Sequence, residues 1–235
     1  MKNSILLTAT IKPKNDIPFL SLKDEKIRLN QYIEAILFWL NKKGIDKIIF
    51  CDNSNYDYDF SKLKIISDKS GKTIEFLKFE GDEKTSIFGK GYGEGEIIKY
   101  AIENSELLKN ESCFYKVTGR LIVKNFDLFS YFNKNNKNIF FSPTKKVVDT
   151  RFFKVEKSFY VNYLLDEYKK VNDSKGYYLE HVYYEKLKNL KPKLSKSFIF
   201  PNIAGVSGST GEEYKNNFLK LIIKNIKLII GGYNI

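Results

Sequence analysis

Residues Ile87–Asn125 read IFGKGYGEGEIIKYAIENSELLKNESCFYKVTGRLIVKN, and the order of patterns in this stretch decides the fold class. Glycines at 89, 91, 93 and 95 alternate with Lys90, Tyr92 and Glu94, which predicts a glycine-rich loop. Ile97, Ile98, Ala101, Ile102, Leu107 and Leu108 then recur at helical spacing. Phe114, Tyr115 and Val117 have strand character, and Lys116-Val117-Thr118-Gly119-Arg120 marks the strand's C-terminal end. In open α/β sheets ligands gather just beyond the carboxyl ends of strands. Two cations and a glycine there point to an anionic ligand. The competing reading is a surface turn with two solvated charges.

Outward from this unit the same alternation continues. Ile5–Ile11 predicts a buried first strand. Arg28–Lys43 predicts an amphipathic helix closed by Gly44, and Ile45–Cys51 a second strand broken by Asp52-Asn53-Ser54-Asn55. Thr73–Phe79 is a third strand. Strands separated by helical patterns imply βαβ units, so the expected fold class is α/β, with a mostly parallel central sheet flanked by helices. The second half is less regular. Strands are expected at 139–142, 147–154 and 197–201, helices at 158–171 and 177–190, and a glycine-serine run spans 205–211. The expected division is a single catalytic domain over 1–217, with halves at 1–125 and 126–217, and a basic, apolar C-terminal segment at 218–235.

Composition narrows the partners. The formal net charge is +12, spread along the chain, which favours nucleic acid, anionic lipid or phosphorylated ligands. Aromatic residues make up 15% of the chain, which argues for a filled interior rather than disorder. Cys51 and Cys113 sit in apolar runs without a zinc pattern and are expected to be reduced packing residues. No segment approaches the roughly 20 apolar residues needed to span a bilayer, and the N-terminus lacks a signal-peptide pattern. The expected location is the cytoplasm.

Several residues are candidates for chemistry. A carboxylate at the end of an apolar strand, as at Asp52-Asn53, accepts hydrogen bonds from ribose or base; the alternative is a turn that caps its own segment. The GxGxGxG pattern is neither a Walker loop nor a dinucleotide fingerprint. Its amides suit a phosphate or a sugar hydroxyl, while Glu94 and Glu96 oppose a phosphate and suit the first turn of a helix. Lys116 and Arg120 together can neutralise a diphosphate. Asp149 and Arg151 form a polar island in an apolar run, serving either a site or a salt bridge. Glu180 beside His181, the only histidine, is a candidate general-base pair, with Glu180 the stronger member and a capping histidine the alternative. Tyr183 and Tyr184 are placed either to stack on sugar rings or to pack in the core.

The order of TATIKPK (8–14), the 28–43 helix, IIFCDNSN (48–55), the glycine-rich stretch, FYKVTGR (114–120) and LEHVYYEKL (179–187) resembles that of GT-A-type glycosyltransferases. The likeness is to the small bacterial enzymes that build capsule or lipopolysaccharide, and it covers about the first 190 residues. It implies a Rossmann-type sheet binding a nucleotide-sugar donor. The donor-binding residues would be Thr8, Thr10, Lys12, Asp52, Asn53, Lys90, Gly91, Gly93, Glu94, Lys116, Thr118, Gly119, Arg120, Asp149 and Arg151. Glu180, with His181, would be catalytic. The chain departs from the family where Lys-Val-Thr-Gly-Arg replaces the metal-binding Asp-x-Asp. That departure implies no metal ligands, no cofactor, and transfer in which fixed cations neutralise the leaving diphosphate.

The implied acceptor is a glycan or lipid-linked glycan. The segment after Phe218, apolar with Lys220, Lys224 and Lys227, would then lie on an anionic membrane surface at the inner face of the cytoplasmic membrane; a helix docked on the sheet is the alternative. Two other classes stand beside this reading. A nucleotidyl- or phosphotransferase would need clustered carboxylates for Mg²⁺, and only scattered ones such as Asp52 and Asp149 are present. A nucleic-acid-binding protein would suit the charge, but acids interleave with the bases and no binding motif is visible, so no nucleic acid is expected.

Overall fold

A computed structural model describes residues 3–14, 21–144, 146–208, 210–214, 218–232 and 234–235. In chain order the first elements are β1 (Ser4–Ala9), α1 (Glu25–Leu40), β2 (Lys47–Asp52), α2 (Ser61–Lys69) and β3 (Thr73–Lys78). Next come α3 (Lys84–Phe88), α4 (Lys90–Asn104), α5 (Glu106–Lys109), β4 (Cys113–Thr118) and β5 (Ile122–Val123). Then follow α6 (Phe126–Phe132), β6 (Phe152–Glu156), α7 (Lys157–Tyr163), α8 (Leu179–Leu187), β7 (Ile203–Val206), β8 (Glu213–Tyr214) and α9 (Phe218–Ile229).

The main sheet has the order β3-β2-β1-β4-β6, parallel throughout except for β6, which runs antiparallel to β4. Every residue of β1 is buried, as expected for a strand covered on both faces. Alternate side chains divide between two cores. Ile5 and Leu7 of β1, Ile48 and Phe50 of β2 and Tyr115 and Val117 of β4 pack with Tyr32, Ile36 and Trp39 of α1. Leu6, Ile49, Cys51 and Phe114 face Ile97, Ile98 and Ala101 of α4 and Val182 and Tyr183 of α8. The connection from β1 through α1 leads to one neighbour, β2, whereas β4, the other neighbour, is reached after α4 on the opposite face. The chain therefore diverges from the sheet at the C-terminal ends of β1 and β4, where such topologies open a crevice.

The glycine-rich loop expected at 89–95 is corrected. Only Gly89 lies outside a helix, with φ 97° between α3 and α4, a left-handed conformation suited to glycine. Gly91, Gly93 and Gly95 lie within α4. Helix propensity alone disfavours this, but close packing requires it. A Cβ on Gly95 would fall 2.1 Å from the Tyr168 Cβ, and one on Gly93 would fall 2.9 Å from the Thr85 Cγ2. The glycines let α4 approach its neighbours rather than presenting a mobile phosphate loop.

Other boundaries move for local reasons. The strand expected at 147–154 begins only at Phe152, because Asp149 binds the Arg151 amide and guanidinium and turns the backbone. The helix expected at 158–171 stops at Tyr163 and resumes as a 3-10 turn at Glu167–Lys170. Residues 139–142 make isolated bridges, and 197–201 form no strand. A small antiparallel sheet, β5-β7-β8, unrecognised in the sequence, closes one side of the crevice. Gly205 in β7 has φ 122°, and a Cβ there would lie 2.7 Å from the Arg120 carbonyl oxygen. Cys51 is buried and Cys113 half-buried, and both are free thiols. Among the described residues no helix is long and apolar enough to cross a membrane.

Candidate functional site

A cavity of about 360 Å³ opens at the C-terminal ends of β1 and β4, within the size range of small-molecule sites. Thr8 and Thr10 come from β1 and its continuation, Thr118 and Arg120 from the end of β4, and Lys90, Gly91 and Glu94 from α4. The turn before β6 adds Asp149, Thr150 and Arg151, and Glu180 enters from the first turn of α8. Residues as far apart in the chain as Thr8 and Tyr214 therefore share one wall-lined space.

One side is cationic. Arg28, in the first turn of α1, is buried, and its guanidinium donates to the Thr10 carbonyl (2.7 Å), the Leu22 carbonyl (3.0 Å) and the Tyr32 hydroxyl (3.2 Å). Burial pushes its pKa down, and Arg120 nearby adds to the effect, although a guanidinium keeps its proton in proteins. Arg120 donates to the Gln31 side-chain carbonyl at 3.0 Å, while its buried Nε has no hydrogen-bond partner. Among the described residues neither arginine has a carboxylate within ion-pair distance. Two buried guanidinium groups near one another, with no carboxylate in ion-pair contact among the described residues, are an arrangement that an anionic ligand completes. Arg151 differs. Its bidentate bonds to Asp149 (2.8 and 2.7 Å) outweigh burial and hold its pKa above the ordinary value, and it lies 4.7 Å from the Tyr214 ring centroid.

The opposite side is acidic. Glu94 accepts from the Lys116 ammonium, from Thr118 Oγ1 (3.1 Å) and from Thr8 Oγ1 (3.4 Å). Lys116 is fully buried and also donates to the Thr150 carbonyl at 2.7 Å, so its charge is committed to protein groups. The expected assignment of Lys116 to a diphosphate is thus redirected: it does not line the cavity and instead supports Glu94 from beneath. Asp173, buried, accepts from the Gly91 amide at 3.3 Å and so occupies the N-terminal end of α4 where an anion would otherwise sit. Its other oxygen is buried without a partner.

Glu180 accepts from Thr150 Oγ1 at 3.0 Å. Enclosure by the cavity walls raises its pKa, and Glu94 and Asp173 add like-charge repulsion, while its own backbone amide and Thr150 act in the other direction. A carboxyl raised in this way is matched to proton transfer nearer neutrality.

Other expected site residues lie elsewhere. Asp52 is buried, and its oxygens accept from the Ile11 amide (2.8 Å), the Ser54 hydroxyl (2.8 Å) and the Tyr56 amide (3.1 Å). Asn53 accepts from Thr10 Oγ1 at 2.6 Å. Both organise the turn after β2, which is the capping alternative; Asp52 borders a separate aromatic cavity of about 290 Å³ with Tyr56, Phe60 and Phe76. Lys12 is exposed outside the main cavity. Gly93 is on the buried face of α4, packed against Thr85 and Asn53, and Gly119 ties the strand ends together, its amide donating to the Thr8 carbonyl at 2.8 Å. His181 does not reach the cavity. Its Nδ1 accepts from the Tyr178 amide at 3.2 Å and its ring stacks with Tyr177 and Tyr178, so it caps α8 rather than pairing with Glu180. Tyr183 is core, hydroxyl to hydroxyl with Tyr160.

Arg28, Tyr32, Thr150 and Asp173 were absent from the sequence-based set. Arg28 carried a usable signal: it precedes Tyr32 by one helical turn on the face that also bears Ile36 and Trp39, so it is a charge on a buried stripe. Asp173 carried none, because its partner Gly91 is 82 residues away. Among the described residues no group of three or more His, Cys, Asp or Glu side chains is arranged to hold a metal ion. No protein-family model matches the chain, and no curated protein matches it in sequence.

Proposed function

We propose that the protein is a glycosyltransferase that moves a sugar from a nucleotide-sugar donor to a hydroxyl of a surface-glycan acceptor. The observation that carries this reading is the polarity of the crevice: the buried guanidinium groups of Arg28 and Arg120, neither ion-paired with a carboxylate among the described residues, line one side, and a set of carboxyls that includes Glu180 lines the other. The arginines would hold the donor diphosphate beyond the ends of β1 and β4. The sugar would then extend toward the acidic wall, where carboxylates accept bonds from its hydroxyls.

In the transfer step Glu180 takes the proton of the acceptor hydroxyl as its oxygen forms a bond to the anomeric carbon. The bond from that carbon to the diphosphate breaks, and the nucleoside diphosphate leaves with the electron pair. Arg28 and Arg120 stabilise the negative charge that grows on the leaving group, a role in which preorganised cations are effective. Direct attack inverts the anomeric centre.

The test is thermal shift with UDP, CMP, GDP and dTDP, followed by transfer assays with the stabilising nucleotide's sugars, with and without EDTA. Stabilisation by one nucleotide and inverting transfer that survives EDTA are the expected results. Failure of all four nucleotides to stabilise the protein would overturn the reading. Activity lost to EDTA and restored by Mn²⁺ would overturn the fixed-cation mechanism and make Asp149 the first ligand to examine.

A further inference from the structure

Helix α9 contains the clearest apolar face that the proposed chemistry leaves unused. At 100° per residue, Leu219, Ile222, Ile223, Ile226 and Ile229, with Ile230 just beyond the helix, fall within an arc of about 120°. All six are exposed, from 39% at Ile222 to 77% at Ile230. The helix is nonetheless anchored. Leu228, on the other side, is buried in the core and Leu221 packs against it, while Asn225 accepts from the Phe200 amide at 2.8 Å. The exposed face is therefore held outward by a docked back, rather than being one side of a loose tail.

The surroundings extend the face. The Phe200 carbonyl accepts from Asn125 at the start of α6, so α6 and α9 meet the same residue. Leu128, Tyr131 and Phe132 of α6 are exposed, as is Phe198 in the connecting segment. Lys220 and Lys227 border the isoleucine face, and Lys124, Lys134 and Lys196 are exposed around the aromatic residues. From Tyr214 to the end of the sequence there is no Asp or Glu.

We propose that α9, with the aromatic residues of α6 and Phe198, docks the protein on the surface of an anionic lipid bilayer. An isoleucine face enters the acyl boundary, aromatic rings sit at headgroup level, and lysines meet anionic headgroups. A second copy of the chain is a poorer occupant, since pairing this face with itself brings Lys220 and Lys227 of both copies together. The middle of α9 also lies beside the cavity rim, where Lys224 is close enough to feel Arg151 and Asp149.

The test is co-sedimentation of the full chain with vesicles of phosphatidylcholine alone or with added phosphatidylglycerol, without any nucleotide. The expected result is binding to the anionic vesicles, reduced at least about tenfold in Ile223→Gln/Ile226→Gln, whose exposed positions leave the melting temperature unchanged. Lys220→Gln/Lys227→Gln should lose the preference for anionic over neutral vesicles. Full-length protein that stays in the supernatant with anionic vesicles overturns the proposal. So does a concentration-dependent dimer in analytical ultracentrifugation that the double isoleucine variant abolishes, which would assign the face to a second copy.

Discussion

Replacing Glu94 by Gln tests whether Lys116 is a structural cation or a ligand-binding one. Lys116 is fully buried and directs its ammonium at Glu94, the Thr150 carbonyl and the Thr118 hydroxyl. Glu94→Gln removes the one ion-pair partner of Lys116 among the described residues and leaves a buried ammonium facing neutral dipoles. Breaking a buried pair from one side costs about 3–5 kcal/mol. In a chain of this size that corresponds to a fall in Tm of roughly 6–20 °C. Lys116→Met should cost less, about 1–3 kcal/mol, because the remaining carboxylate is a fifth exposed and keeps the Thr118 and Thr8 hydroxyls. The double variant should recover part of the Glu94→Gln loss, since neither unpaired charge remains. Urea denaturation of the four proteins at pH 7 gives the full cycle. A Glu94→Gln variant that loses less than about 1 kcal/mol, with additive single changes, would refute the buried-pair argument and return Lys116 to the ligand site.

Three further outcomes are expected. Arg120→Ala should weaken donor binding by about 10- to 100-fold, the equivalent of one charge-assisted hydrogen bond. Its Tm should change little, because loss of the Gln31 bond is offset by relief of repulsion with Arg28; unchanged donor affinity by calorimetry removes Arg120 from the site. Glu180→Gln should cut transfer by about 10²-fold or more while keeping donor binding. Because the folded-state pKa of Glu180 is raised, its contribution to stability is complete below the ordinary value of 4.5 and is lost as pH rises through the raised value. The Gln variant should therefore gain stability relative to the parent as pH rises above 4.5, and a urea midpoint difference that stays flat or reverses would contradict the assignment. Gly95→Ala should destabilise by at least about 1–3 kcal/mol despite alanine's better helix propensity, since the new methyl collides with Tyr168; an increase in Tm would show that α4 can shift away.

The α/β alternation was legible in the sequence because a strand covered on both faces must be apolar at nearly every position. Ile5–Ala9 and Ile48–Cys51 satisfy that condition, and the amphipathic run of α1 lies between them. The placement of Lys116 and Arg120 at a strand's carboxyl end followed from the same pattern, since Lys116 directly precedes Val117, the last apolar residue of β4, and Arg120 lies two residues past the strand's end at Thr118. The helical state of Gly91, Gly93 and Gly95 was not legible, because local propensity opposes a helix there. What overrides it is the close packing of Tyr168, Thr85 and Leu179, which come from elsewhere in the chain. Which charges remain available to a ligand also depended on the tertiary structure. Lys116 and Arg120 are equivalent cations in the sequence, yet packing of α4 against β4 commits the first to Glu94, while the approach of α1 leaves the second beside Arg28 with no carboxylate in ion-pair contact among the described residues. A side chain's charge follows from its residue type, whereas its availability depends on which opposite charge the fold brings within a few ångströms, and that distance is set by packing.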